Sequence, residues 1–148
     1  MGFTAKAASS NEQVLYVNSP DFGLATVDLQ TLAPTKLNVL QSTLAELTGG
    51  PDGRLFIYES ATTALSEVDR NSYQRQLLHT FNQKDVTAFA FARYAGVFYV
   101  FTAGGSSPRT ATTMYDPQTK TEAVRDPDIG VTVVGAGQST CVPPPVIL

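Results

Sequence analysis

The sequence predicts an all-β chain of three four-stranded sheets. Three observations carry this: a gapless internal repeat, short β-branched and aromatic segments at even spacing, and an Asp-centred turn that recurs in each copy. Shifted by 41 residues, positions 15–40 of the 148-residue chain fall on 56–81. Leu15-Tyr16-Val17 lands on Phe56-Ile57-Tyr58, Leu24 on Leu65, and Val27-Asp28 on Val68-Asp69. A third copy starts at Val97-Phe98-Tyr99-Val100 and carries Tyr115-Asp116, with Asp116 lying 47 residues after Asp69. The extra length is expected in a loop at Gly104-Gly105-Ser106-Ser107-Pro108, whose composition breaks regular structure.

Each copy divides into four strands. Segments 14–18, 55–59 and 97–102 are rich in Val, Leu, Ile, Phe and Tyr, which suit a pleated, half-buried surface. Segments 24–28, 64–69 and 111–115 form a second strand, and 35–40, 75–81 and 120–125 a third. A further, innermost strand is expected at 43–48, 86–92 and 131–136. From Thr87 onward large and small residues alternate, the period of a strand lying close to others on both faces. A competing signal sits at 42–48, where Thr43-Leu44-Ala45-Glu46 fits a helix capping box and Gly49 a helix stop. The strand is preferred there because its counterpart at 86–92 has a period of two. Pro51-Asp52-Gly53 and Tyr94-Ala95-Gly96 supply tight turns, with Gly53 and Gly96 as structural turn residues.

Asp28, Asp69 and Asp116 each stand three residues before a hydroxyl side chain: Thr31, Ser72 and Thr119. An Asp side chain accepts hydrogen bonds from the backbone N–H groups just ahead and closes an Asx-type turn. These three are read as structural turn residues, not as metal ligands.

Four short strands every 41–47 residues is the pattern of a β-propeller blade. The stretch Leu47-Thr48-Gly49-Gly50-Pro51-Asp52-Gly53-Arg54-Leu55-Phe56 resembles the strand–turn–strand element of propellers of the NHL and SMP-30-like type. Phe89-Ala90-Phe91, Phe98-Tyr99-Val100-Phe101-Thr102-Ala103 and Val133-Val134-Gly135-Ala136-Gly137-Gln138-Ser139-Thr140-Cys141 are similar to the C-terminal part of propeller-like lipoproteins of myxobacteria. The resemblance implies blades and a bacterial cell envelope or secreted location. It implies no reaction, because a fold does not fix a function.

Propellers close with about four to eight blades, so three copies read as half of a six-bladed ring. Residues 1–13 are expected to be a flexible N-terminal segment, 14–137 the three-repeat domain, and 138–148 a Pro-rich tail. The first copy lacks an obvious innermost strand and 131–136 looks spare. That combination points to strand exchange in a head-to-tail homodimer, or to the missing blades of a longer chain. A monomeric open stack of three sheets is the third arrangement.

Composition narrows the function classes. Lys+Arg number 10 and Asp+Glu 13, a net charge of −3. Nucleic acid is therefore not an expected partner, since phosphate binding needs clustered positive charge. One Cys and one His exclude structural zinc sites of four cysteines, or of two cysteines and two histidines. Only His79 is available to a Ser-His-Asp triad. No run reaches the ~18 apolar residues of a spanning helix. No cofactor or metal is expected. Residues 133–140 open like a dinucleotide-binding loop, but a third Gly is missing and Pro143-Pro144-Pro145 opposes the helix that must follow. Gly135 and Gly137 are read instead as permitting close strand packing or a bulge near the propeller axis.

In a blade, the loops entering the innermost strand share an end with the loops between the first two strands listed above. That end would gather Asp21, Glu59, Lys84, Asp85, Arg109, Asp126 and Asp128, a mixed-charge surface for a protein or glycan ligand. No catalytic residue is assigned. The chain is read as a non-enzymatic binding or scaffold domain. The alternative is a propeller-type hydrolase or lactonase with a metal at the central axis, yet the expected innermost strands carry only Glu46 as an acid. His79 is read as a partly exposed strand residue and Cys141 as an unreactive thiol. Pro143-Pro144-Pro145 should be extended polyproline II.

Overall fold

A computed structural model describes residues 1–8, 10–37, 44–105 and 107–141. Among them twelve strands form three four-stranded antiparallel sheets, each a meander whose strands pair in chain order. The first sheet is β1 (Gly2–Ala5), β2 (Gln13–Ser19), β3 (Gly23–Val27) and β4 (Pro34–Lys36). The second is β5 (Ala45–Gly49), β6 (Leu55–Glu59), β7 (Ala64–Val68) and β8 (Arg75–Thr80). The third is β9 (Val86–Tyr94), β10 (Val97–Gly104), β11 (Ser107–Asp116) and β12 (Thr121–Asp126). The helix alternative falls away for Ala45–Gly49, which pairs with β6; residues 42 and 43 lie outside the described residues. Among the described residues no helix is long and apolar enough to cross a membrane.

Two expectations about the ends of the repeat are corrected. The first copy has its innermost strand: β1 pairs with β2, Gly2 opposite Tyr16 and Ala5 opposite Gln13. The first sheet thus begins before residue 14. Residues 131–136 join no sheet. Ile129 N–H donates to the Thr110 carbonyl (3.0 Å) and Thr110 N–H donates to the Val131 carbonyl (2.9 Å), after which no ladder continues. Strand exchange therefore has neither a vacancy to fill nor a spare strand to fill it. The C-terminal segment instead returns to the first sheet, where the Gln13 amide donates to Thr140 Oγ1 at 2.5 Å.

The inserted residues of the third copy are also placed differently. They lengthen strands: β10 has 8 residues and β11 has 10, against 5 each for β6 and β7. Gly104 pairs with Ser107 at the end of this longer hairpin.

Side-chain alternation along the second strand of each sheet sets the packing. From β2, Tyr16 points with Leu24 of β3 onto Leu47, Leu55, Ile57 and Val68 of the second sheet. From β6, Phe56 and Tyr58 point the other way, with Leu65, onto Phe91, Phe98, Val100 and Tyr115 of the third. All five residues of β6 are buried, so the second sheet is covered on both faces. A continuous apolar run is what such a strand needs. Each sheet thus has a front face, toward the next sheet, and a back face, toward the preceding one. The rings of Phe56 and Phe98 meet edge-on at 4.9 Å between centroids, and Phe91 stacks on Phe98 at 5.7 Å. Such pairs add roughly 0.5–1.5 kcal/mol beyond area burial.

Small residues let the innermost strands approach. A Cβ on Gly49 would lie 2.3 Å from the Phe3 carbonyl oxygen, and one on Gly2 would lie 2.6 Å from that of Leu47. Thr4, fully buried, closes the same contact: its hydroxyl lies 2.9 Å from the Arg54 carbonyl and 3.2 Å from that of Gly50. Gly135 and Gly137 do not play this part, since nothing lies within 4 Å of where their Cβ atoms would sit. The reading of those two as close-packing residues is corrected.

Replacing Phe98 by Ala should cost about 3–5 kcal/mol, because the cavity opens between two sheets that cannot collapse onto it. Gly49→Ala should destabilise through backbone clash, whereas Gly135→Ala should leave the unfolding midpoint unchanged. Denaturant unfolding of the three variants checks both statements.

Candidate functional site

The turns that separate the two ends of each sheet are built by the repeated Asp. Asp28 Oδ1 accepts from the N–H groups of Gln30 (2.9 Å) and Thr31 (2.7 Å) and from the Thr31 hydroxyl (3.0 Å). Asp69 Oδ1 accepts from Asn71 N–H (3.0 Å), Ser72 N–H (2.6 Å) and Ser72 Oγ (2.8 Å). Asp116 Oδ1 accepts from Gln118 N–H at 2.8 Å and Thr119 N–H at 3.4 Å. The following Leu32, Tyr73 and Lys120 all take a positive φ of 56–59°. Backbone donors hold the carboxyls of Asp28 and Asp69 below the ordinary value. Ala95 and Gly96 both have positive φ (49° and 85°), as a two-residue turn between β9 and β10 requires, and Gly53 has φ 75°.

By chain topology the seven charged residues singled out from the sequence lie at one end of the sheets. The structure joins only some of them. Arg109 reaches Asp128 at 3.4 Å, Asp126 Oδ1 accepts from Asp128 N–H at 2.9 Å, and Asp128 Oδ1 accepts from Gly130 N–H at 2.8 Å. These contacts order the segment after β12. Glu59 is buried and ion-paired with Arg75. Asp21, Lys84 and Asp85 are exposed loop residues. The Asp85 carbonyl lies where a Cβ on Gly104 would sit, at 2.0 Å, so Asp85 belongs to the packing of the lengthened hairpin.

The opposite end holds a polar trough that sequence reading missed. A cavity of about 350 Å³ is lined by Lys6, Gly53, Arg54, Glu67, Val68, Asp69, Arg70 and Asn71. A neighbouring groove of about 310 Å³ shares Glu67 and Asp69 with it and adds Gln74, Arg75 and Gln76. Arg70 joins the first sheet to the second here. Its NH1 donates to the carbonyls of Gly53 (2.8 Å), Ala5 (3.0 Å) and Lys6 (3.1 Å), and its Nε donates to the Tyr16 hydroxyl (3.1 Å). All four acceptors are neutral, and the guanidinium also lies over the Tyr16 ring at 5.8 Å. Arg54 forms a two-armed pair with Glu67, Nε–Oε1 2.8 Å and NH2–Oε2 2.5 Å, which raises the guanidinium's already high affinity for its proton. Arg93 lies over the Phe56 ring at 4.8 Å and donates to Asp52 at 2.8 Å. Burial opposes the charge on Asp52, but that guanidinium wins and holds the carboxyl below its ordinary value. The signals for this end are the turns Pro51-Asp52-Gly53, with Arg54 after it, and Asp69, with Arg70 after it; what brings them together is contact between residues up to 65 positions apart.

Of the alternatives, the axial metal would need carboxylates on the innermost strands β1, β5 and β9. These carry Glu46, whose carboxyl burial pushes up. Among the described residues no group of three His, Cys, Asp or Glu side chains could hold a metal ion. His79 is half-buried, stacked on Tyr115 at 4.1 Å, and its Nε2 lies 2.6 Å from Glu122, so it closes the seam between the second and third sheets. Cys141 is exposed. The expected polyproline segment 143–145 lies outside the described residues. A scan against protein-family models finds none that matches the chain, and a search of curated proteins finds no relative.

The depressed Asp69 carboxyl fixes a pH dependence. Stability that depends on the ionised form is complete above the ordinary carboxylate value and is lost as pH falls through the lower folded value. Wild type should therefore exceed Asp69→Asn in thermal midpoint at neutral pH and converge with it in acid, once pH has fallen well below the ordinary carboxylate range. Melting curves across that range check this.

Proposed function

We propose that the chain is a non-enzymatic binding and scaffold module of β-propeller type, with a glycan as its ligand. The supporting observation is the polar trough at the turn end of the second sheet. Arg54, Arg70, Glu67, Asp69, Asn71, Gln74 and Gln76 present planar donors and acceptors there side by side. A sugar hydroxyl both donates and accepts, so a surface mixing guanidinium, amide and carboxylate groups suits it better than a surface of one sign. The Arg54–Glu67 pair and the Arg70 contacts fix the rigid part of the trough. Asn71 and Gln76 are exposed, and their side chains stand ready to exchange water for ligand. In this reading the repeated sheets serve as the frame, and further sheets, from a second copy or a longer chain, complete the ring.

A glycan array probed with the labelled chain tests the reading, followed by calorimetry on any sugar retained. Asn71→Ala and Gln76→Ala should each weaken binding about threefold to tenfold, the net worth of one hydrogen bond. Asp126→Ala, at the other end, should leave it unchanged. No binding across the array, or equal loss with Asp126→Ala, would contradict the assignment.

A further inference from the structure

We propose that the front face of the third sheet docks onto the back face of the first sheet of a second copy of this chain. The inference rests on the reading of the three sheets as an incomplete stack and names the surfaces that continue it. Inside the chain one contact is made twice: an aromatic from the second strand of one sheet lies on the back face of the next. At the first seam Tyr16 lies against Leu55 and Ile57. Both outer faces repeat these halves. On the back of the first sheet, Leu15 and Val17 of β2 share a face with Val27, in the same register that joins Leu55 and Ile57 to the face of Val68, and the chain's own Thr140 meets this face at Gln13, the first residue of β2. On the front of the third sheet, Tyr99 and Phe101 alternate with the inward Phe98 and Val100, as Phe56 and Tyr58 alternate with Leu55 and Ile57.

These outer residues are half-buried, whereas their counterparts between sheets are fully buried. The chain thus carries both partners of an interface it already forms, one at each end of its stack. A second copy is the occupant that presents the matching half by necessity. The contact is heterologous, and two copies close it if the rotation per sheet permits. Unlike strand exchange, it leaves every strand in its own sheet.

The experiment is light scattering on the purified chain at micromolar concentration, with Val17→Glu and Tyr99→Glu. Each charge occupies one of the two faces. Wild type should have the mass of two chains, and each variant alone the mass of one. An equimolar mixture of the two variants should recover the two-chain mass, because each retains the face the other has lost. Val17→Ser and Tyr99→Ser, with melting curves, separate loss of docking from loss of folding. A wild-type dimer insensitive to both charges would overturn the docking surfaces and leave the incomplete stack standing. A stable wild-type monomer would overturn both.

Discussion

Leu55 and Ile57 point from β6 into the first sheet, while Phe56 and Tyr58 point into the third. This strand has no side toward water, and the neighbouring sheets are held in place by it. The burial is non-directional, but the alternation of the pleat makes it specific, since a slip of one residue would exchange the two sets. Polar links then fix the seams that apolar contact leaves adjustable. The Tyr58 hydroxyl donates to Gln83 at 2.9 Å, and the Gln83 amide donates to Thr113 at 3.2 Å, which ties β6 through the β8–β9 connection to β11. Burial raises the Tyr58 hydroxyl's hold on its proton, so it remains a donor throughout the physiological range.

Charge is used in the same way at the sheet ends. Arg93 crosses from β9 to Asp52 while covering Phe56, and Arg70 crosses from the β7–β8 turn to the carbonyls of Ala5, at the end of β1, and Lys6, just after it. Arginine suits both places because its planar fork can lie on a ring and still donate at its edge. The trough lies beside the Arg70 link, lined by Lys6 of the β1–β2 connection and by the turns of the second sheet.

Much of the fold could be read from residue order alone. The segment 55–59 coincides with β6, and 24–28, 64–69 and 75–81 lie within a residue of β3, β7 and β8. These strands carry apolar periodicity that nothing else in the chain competes with. β1 leaves no hydrophobic pattern in the sequence, because Gly2 and Thr4 stand where the strand backbones touch and only small residues fit. The opposite error arose at 131–136, where Val131, Val133 and Val134 have strand chemistry but no edge to pair with beyond Thr110. Val131 and Val134 remain exposed as a result. The trough was illegible for a different reason. Its members come from separate turns, and a turn residue in sequence looks the same whether or not another turn stands beside it.

Amide hydrogen exchange followed by mass spectrometry tests the two-sided burial of the central strand most directly. The peptide covering Leu55–Glu59 should exchange slowest of all, with a free energy equal to that of global unfolding, and the outer strands β4 and β12 should exchange first. Exchange of that peptide as fast as β12 would mean that one of the flanking sheets is not seated on it, and the stacked arrangement would be wrong.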